Sequence, residues 1–155
     1  MSAAPAVGGP TEQGVANLVF GLAEAIDDAD GPRIELLFSA ASFRIGDGEP
    51  VAGGEAFRQM IERGMILHDG SPRTHHVVTN LVVSIDRVAA SATSSARVTV
   101  LQAVGADFPL QVILAGRYAD RFAWTDQGWA FVERHLQVTL RGDTSRHASP
   151  PGAGS

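Results

Sequence analysis

The stretch Arg73-Thr74-His75-His76-Val77-Val78-Thr79-Asn80-Leu81-Val82-Val83-Ser84-Ile85 decides how the rest of the chain is read. Its density of β-branched residues marks a strand, and Ser71-Pro72 just before it marks the turn that delivers the chain there. Side chains on a strand alternate, so His76, Val78, Asn80 and Val82 are expected on one face. His75, Val77, Thr79, Leu81, Val83 and Ile85 are expected on the other. Both faces are largely apolar, which predicts packing on each side. An imidazole and a carboxamide among valines then require partners, because burying them unpaired is costly. The face bearing His76 and Asn80 is the expected lining of a pocket.

Three further β stretches follow at 88–104, 110–124 and 129–140, with turn signals at Asp86-Arg87, Gly105-Ala106-Asp107 and Asp126-Gln127-Gly128. Links this short make antiparallel neighbours, since a parallel crossover needs a dozen residues or more. Upstream the pattern is helical. Val15, Leu18, Val19, Leu22 and Ile26 recur at helical spacing behind Thr11, a candidate N-cap. Asp27, Asp28 and Asp30 crowd the far end, where the helix dipole disfavours carboxylates. Gly31-Pro32 then opens a short second helix to Phe38. A brief strand at 41–45 and turn chemistry at 46–50 follow. Gly53-Gly54 leads into a third helix with Phe57, Met60, Ile61 and Met65 on its apolar stripe, ending near His68, which is read as its cap.

The predicted fold class is α+β: a cone-shaped, curved antiparallel sheet with three N-terminal helices closing a pocket. It occupies residues 11–141, between a disordered N-terminus at 1–10 and a disordered tail at 142–155 that gives His147 no role. Apolar side chains on the outer face, Val77, Leu81 and Val83 among them, predict a homodimer or homotrimer through that face.

Composition narrows the function. With 155 residues, 45% hydrophobic and 19% charged, the chain is an ordinary globular domain. A net charge of −5 and no basic stripe argue against nucleic acid and against an anionic membrane surface. There is no cysteine, which removes thiol catalysis, disulfides and thiolate metal sites. No apolar run is long enough to cross a bilayer and the start lacks signal-peptide character, so a cytoplasmic protein is expected. His75 and His76 point apart on a strand and cannot simply share a metal, so no metal is assigned. Neither glycine pair, Gly8-Gly9 nor Gly53-Gly54, has the context of a phosphate loop.

The order helix, short helix, Phe-containing strand, helix, then Thr74-x-His76-x-x-x-Asn80 resembles the SnoaL-like branch of the nuclear-transport-factor-2-like superfamily. The segment Gly116-Arg117-Tyr118-Ala119-Asp120-Arg121-Phe122, with Gly128-Trp129 and Glu133-Arg134, is similar to the closing strands of that family. The likeness covers about residues 12 to 140. Within the branch, scytalone dehydratase and hexachlorocyclohexane dehydrochlorinase carry a histidine where His76 stands and an aspartate where Asp27 stands. The resemblance implies a dyad in which Asp27 orients His76 and His76 abstracts a carbon-bound proton, with Asn80 positioning the ligand. It departs from scytalone dehydratase in lacking a second histidine on the next strand, which reads Ala96-Arg97-Val98-Thr99-Val100, and in lacking paired tyrosines. That points away from the dehydratase's own substrate and leaves generic Asp–His proton transfer.

The expected function is therefore a cofactor-independent lyase or isomerase acting on a small hydrophobic cyclic molecule. Asp27 and His76 are its catalytic candidates. Asn80, Tyr118, His135, Phe43 and Trp129 are the candidates for substrate binding: polar groups to orient the ligand, aromatic rings for apolar walls. The alternative is a non-catalytic ligand-binding or accessory domain of the same fold. A filled cone supports the alternative; an open apolar pocket ending at His76 supports the enzyme.

Overall fold

A computed structural model describes residues 8–149. Its elements are α1 (Glu12–Asp27), α2 (Gly31–Leu37), β1 (Ser42–Ile45), β2 (Val51–Ala52), α3 (Gly54–Gly64), β3 (Thr74–Asp86), β4 (Ser91–Val104), β5 (Phe108–Thr125) and β6 (Gly128–Arg141). The expected N-terminal segment falls at 1–7 outside the described residues. Among those described, no helix is long and apolar enough to cross a membrane.

Local chemistry sets the helix ends. Thr11 caps α1 by accepting from the Gly14 amide, and Glu12 sits in the first turn where the dipole favours it. Asp30 caps α2 by accepting from the Arg33 amide, with Pro32 in the first turn. Gly53, at φ 90°, starts α3 where a side chain would strain the backbone. The third helix stops at Gly64, so His68 lies beyond it. That histidine donates from Nε2 to the Arg146 carbonyl at 2.8 Å, which corrects its reading as a helix cap.

The sheet runs β2-β1-β6-β5-β4-β3. Strands β3 to β6 form the expected antiparallel meander. The short strand β1 adds a parallel pairing with β6, so the sheet is mixed. The first turn is wider than expected: the Asp86 carboxylate accepts from the Val88 and Ala89 amides, and β4 begins only at Ser91.

Bulges break the simple alternation, and each bends the sheet further. In β3, Thr79 pairs with Arg97 but Val82 with Ser95, leaving one extra residue at Asn80-Leu81. Asn80 takes φ 54°, a left-handed conformation that asparagine tolerates better than most residues. The faces therefore exchange. Thr74, His76 and Val78 point inward before the bulge, and Leu81, Val83 and Ile85 pack on the core after it. In β6, Phe122 pairs with Phe131 but Arg121 with Glu133, so Val132 is extra and Arg134 turns inward in place of Glu133 and His135.

The helices cover the concave face. Val15, Val19 and Leu22 of α1 pack with Ile34, Phe38, Phe43, Phe57, Phe122 and Phe131, all buried. Phe38 stacks on Phe57 with centroids 4.3 Å apart and meets Phe131 at 5.1 Å, closing one end of the cone. Ile113 and Leu114 turn inward with Tyr118, while Leu110 and Val112 are exposed because another bulge falls at Ile113.

Candidate active site

The last residue of α1 and the start of β3 meet at the cavity wall. Asp27 ends its helix, so its side chain reaches past the final turn toward the strand that begins at Thr74. One carboxylate oxygen accepts from His76 Nδ1 at 2.6 Å and from Thr74 Oγ1 at 2.8 Å. The other accepts from the His76 backbone amide at 2.7 Å. Asp27 thus grips ring and backbone of one residue together. The His76 and Asp27 side chains are 10% and 16% exposed, little enough for these bonds to count. Burial alone would raise the Asp27 carboxyl. The His76 ring bond and charge, the His76 amide and the Thr74 hydroxyl together outweigh it and hold the carboxyl below its ordinary value.

His76 lines a cavity of about 280 Å³ between the helices and the sheet. Leu22, Ile26, Phe57, Met60, Ile61 and Leu136 make its walls predominantly apolar, and the binding candidates Phe43 and Tyr118 also line it. Three of the other binding candidates lie elsewhere. Asn80 and His135 border a separate hollow on the outer face, with Arg97, Arg117 and Gln137. The bulges at Asn80 and Val132 put them there, and His135 Nε2 donates to the Gly46 carbonyl at 2.9 Å. Trp129 is a core residue whose indole N–H donates to the Thr11 carbonyl at 3.1 Å, tying β6 to the start of α1.

Two residues enter the site that sequence patterning did not place there. Arg134 is 1% exposed and lines the cavity. Its Nε and Nη2 donate to the two Asp120 oxygens at 2.8 and 2.7 Å, a bidentate pair closed off from water. Its guanidinium lies 3.7 Å from the centre of the Tyr118 ring. Burial pushes the Tyr118 hydroxyl up, Arg134 opposes the shift, and Asp120 and Asp27 add to it, so the phenol stays protonated at neutral pH. The other addition is His147, brought to the cavity by a chain that folds back after β6.

The whole is a small α+β cone whose apolar hollow is entered by a carboxylate-held imidazole. The SnoaL-like domain family matches residues 10–135, and the chain belongs to that family. No functionally curated protein matches it. Among solved structures, a protein of unknown function from Mycobacterium tuberculosis aligns with TM-score 0.68 at 22% identity, over 82% of this chain and 75% of that one. A provisionally named scytalone dehydratase from Novosphingobium aromaticivorans aligns with TM-score 0.68 at 19% identity, over 92% and 94%. A hexachlorocyclohexane dehydrochlorinase from Novosphingobium barchaimii aligns with TM-score 0.67 at 15% identity, over 90% and 94%. At these identities the likeness establishes the fold.

Proposed function

We propose that this chain is a cytoplasmic, cofactor-independent enzyme, a lyase or isomerase that takes a carbon-bound proton from a small hydrophobic cyclic molecule. The observation that carries this reading is the 2.6 Å contact between Asp27 and His76 at the wall of an apolar cavity. An ionised Asp27 can only accept, so the ring proton of neutral His76 belongs on Nδ1. The lone pair on Nε2 is then free to act as base, and the carboxylate stabilises the imidazolium that forms. When Nε2 takes the proton, the C–H electron pair becomes a C=C bond as a neighbouring group leaves with its own bonding pair. Where the neighbour is a carbonyl, the pair is held as an enolate instead. Arg134 keeps its charge throughout and borders the same space, where it favours developing negative charge. A subunit serving assembly alone predicts a filled cone; the open hollow at His76 supports a ligand site, and the carboxylate-held imidazole on its wall favours chemistry there.

A panel of cyclic ketones and cyclic compounds bearing a leaving group beside an acidic C–H, incubated in deuterated water, tests the reading. The wild type should wash in deuterium or eliminate, and His76→Ala should slow this by about a hundredfold or more. Undiminished turnover in a folded His76→Ala variant removes the mechanism.

Self-association through the outer sheet face belongs to the same proposal. Val82, Leu110, Val112 and Leu140 are more than half exposed there. Leu81 and Val83 turn inward after the bulge, so the patch differs from the one expected by alternation. Sedimentation at micromolar concentration should give a dimer or trimer; a stable monomer refutes it.

A further inference from the structure

After β6 the chain crosses back to the end of α3 as a strap, residues 143–149, and it is held from three sides. The Ile66 amide donates to the His147 carbonyl at 2.9 Å, and the Ser149 amide to the Gly64 carbonyl at 3.0 Å. Gln102, 1% exposed, donates from Nε2 to the carbonyls of Pro72 at 2.9 Å and Arg146 at 3.0 Å. His68 donates to that same Arg146 carbonyl. A buried amide committed to a strap so far along the chain is a specific anchor; of the tail expected to be disordered, residues 142–149 make these contacts and 150–155 lie outside the described residues.

What the anchored strap delivers to the cavity is one imidazole. His147 lines the hollow together with His76, Tyr118 and Arg134. Its backbone is fully engaged, yet its ring makes no hydrogen bond among the described residues, and Nδ1 is buried without a partner. Nδ1 is shut off from the hollow as well as unpaired, so the ring nitrogen left to meet a ligand is Nε2. Burial lowers the affinity of this ring for a proton, a protonated His76 would add to that and Asp27 opposes it, so the ring is neutral at neutral pH. A neutral imidazole offers one donor and one acceptor.

We propose that His147 is a ligand-binding residue of this cavity, carried over its mouth by the strap, and that its imidazole hydrogen-bonds a hydroxyl or carbonyl on the ligand. The ligand is thus a ring compound with at least one uncharged oxygen directed toward the strap, in addition to the carbon that faces His76. This rests on the proposed function only in taking the hollow as a ligand site, and it requires no proton transfer to His147.

The test uses 1-indanol and indane, a matched pair differing by one hydroxyl that can donate or accept and so suits either tautomer. Dissociation constants are measured by NMR titration on the full chain, on His147→Phe, which keeps a ring without nitrogens, and on His147→Ala. The wild type should bind indanol, and both variants should reduce its preference over indane by about fivefold. If the alanine variant frees the strap, seen as lost protection of the Ile66 amide, the phenylalanine variant decides. An unchanged preference, or failure of the wild type to bind indanol, overturns the proposal. Turnover that survives His76→Ala would sink the enzymatic reading alone, because the hydroxyl preference is a binding measurement.

Discussion

Asp27 and His76 lie 49 positions apart, and the carboxylate of one binds both the ring and the backbone amide of the other. The amide bond fixes where β3 starts against the end of α1, and the ring bond fixes the imidazole within that frame. Fold and site therefore share a residue, and changes at Asp27 should register in both.

The acid limb of stability should report this. The Asp27 carboxyl is held below its ordinary value of 3.8. A depressed folded value means its stabilisation is present above about pH 4 and lost as pH falls through that lower value. In urea titrations Asp27→Asn should lose about 2 kcal/mol near neutral pH. The difference from wild type should shrink in strong acid. An equal loss at both pH values would show that the charge contributes nothing.

Arg134 and Asp120 form a buried pair, with side chains 2% and 0% exposed. Removing one partner strands the other, so Asp120→Ala should cost about 3–5 kcal/mol in chemical denaturation. Combining it with Arg134→Met should recover much of that stability while abolishing turnover. A double variant no more stable than Asp120→Ala contradicts the assignment.

Asn80 is explained by its backbone. At φ 54° a β-branched side chain is strained, so Asn80→Val should cost about 1–2 kcal/mol while Asn80→Gly is tolerated. Thermal melts and a turnover assay on the glycine variant check this. Loss of turnover in a stable Asn80→Gly variant would return the carboxamide to the active site.

The strap should loosen in mild acid. Burial lowers His147 below its ordinary 6.5, a protonated His76 would add to that and Asp27 opposes it. Protonation therefore favours the open strap: its stability is present above about pH 6.5 and lost as pH falls through the depressed value. Hydrogen-exchange protection of the Ile66 and Ser149 amides, corrected for intrinsic rates, should drop over that range in the wild type and stay level in His147→Phe.

The helices, the four long strands and the meander were legible because periodicity and capping carry that information locally. The position of Asp27 was legible because the polar end of an apolar stripe falls at the helix terminus. Bulges were not legible. A period-two reading assigns Asn80 and His135 to faces they do not occupy, since one extra residue reverses every side chain beyond it. The same reversal hides Arg134, which strict alternation from Trp129 and Phe131 sends outward. His147 was hidden for another reason: its place depends on Gln102 and Ile66, distant residues that no local pattern links to a polar, proline-rich end.

The most direct test of the central claim is the tautomer of His76, read from the nitrogen-15 and proton shifts of its ring in the free protein. A neutral ring protonated on Nδ1, with a strongly deshielded proton that is lost in Asp27→Asn, is the expected result. A neutral ring protonated on Nε2, leaving bare nitrogen toward Asp27 and no base toward the cavity, would contradict it.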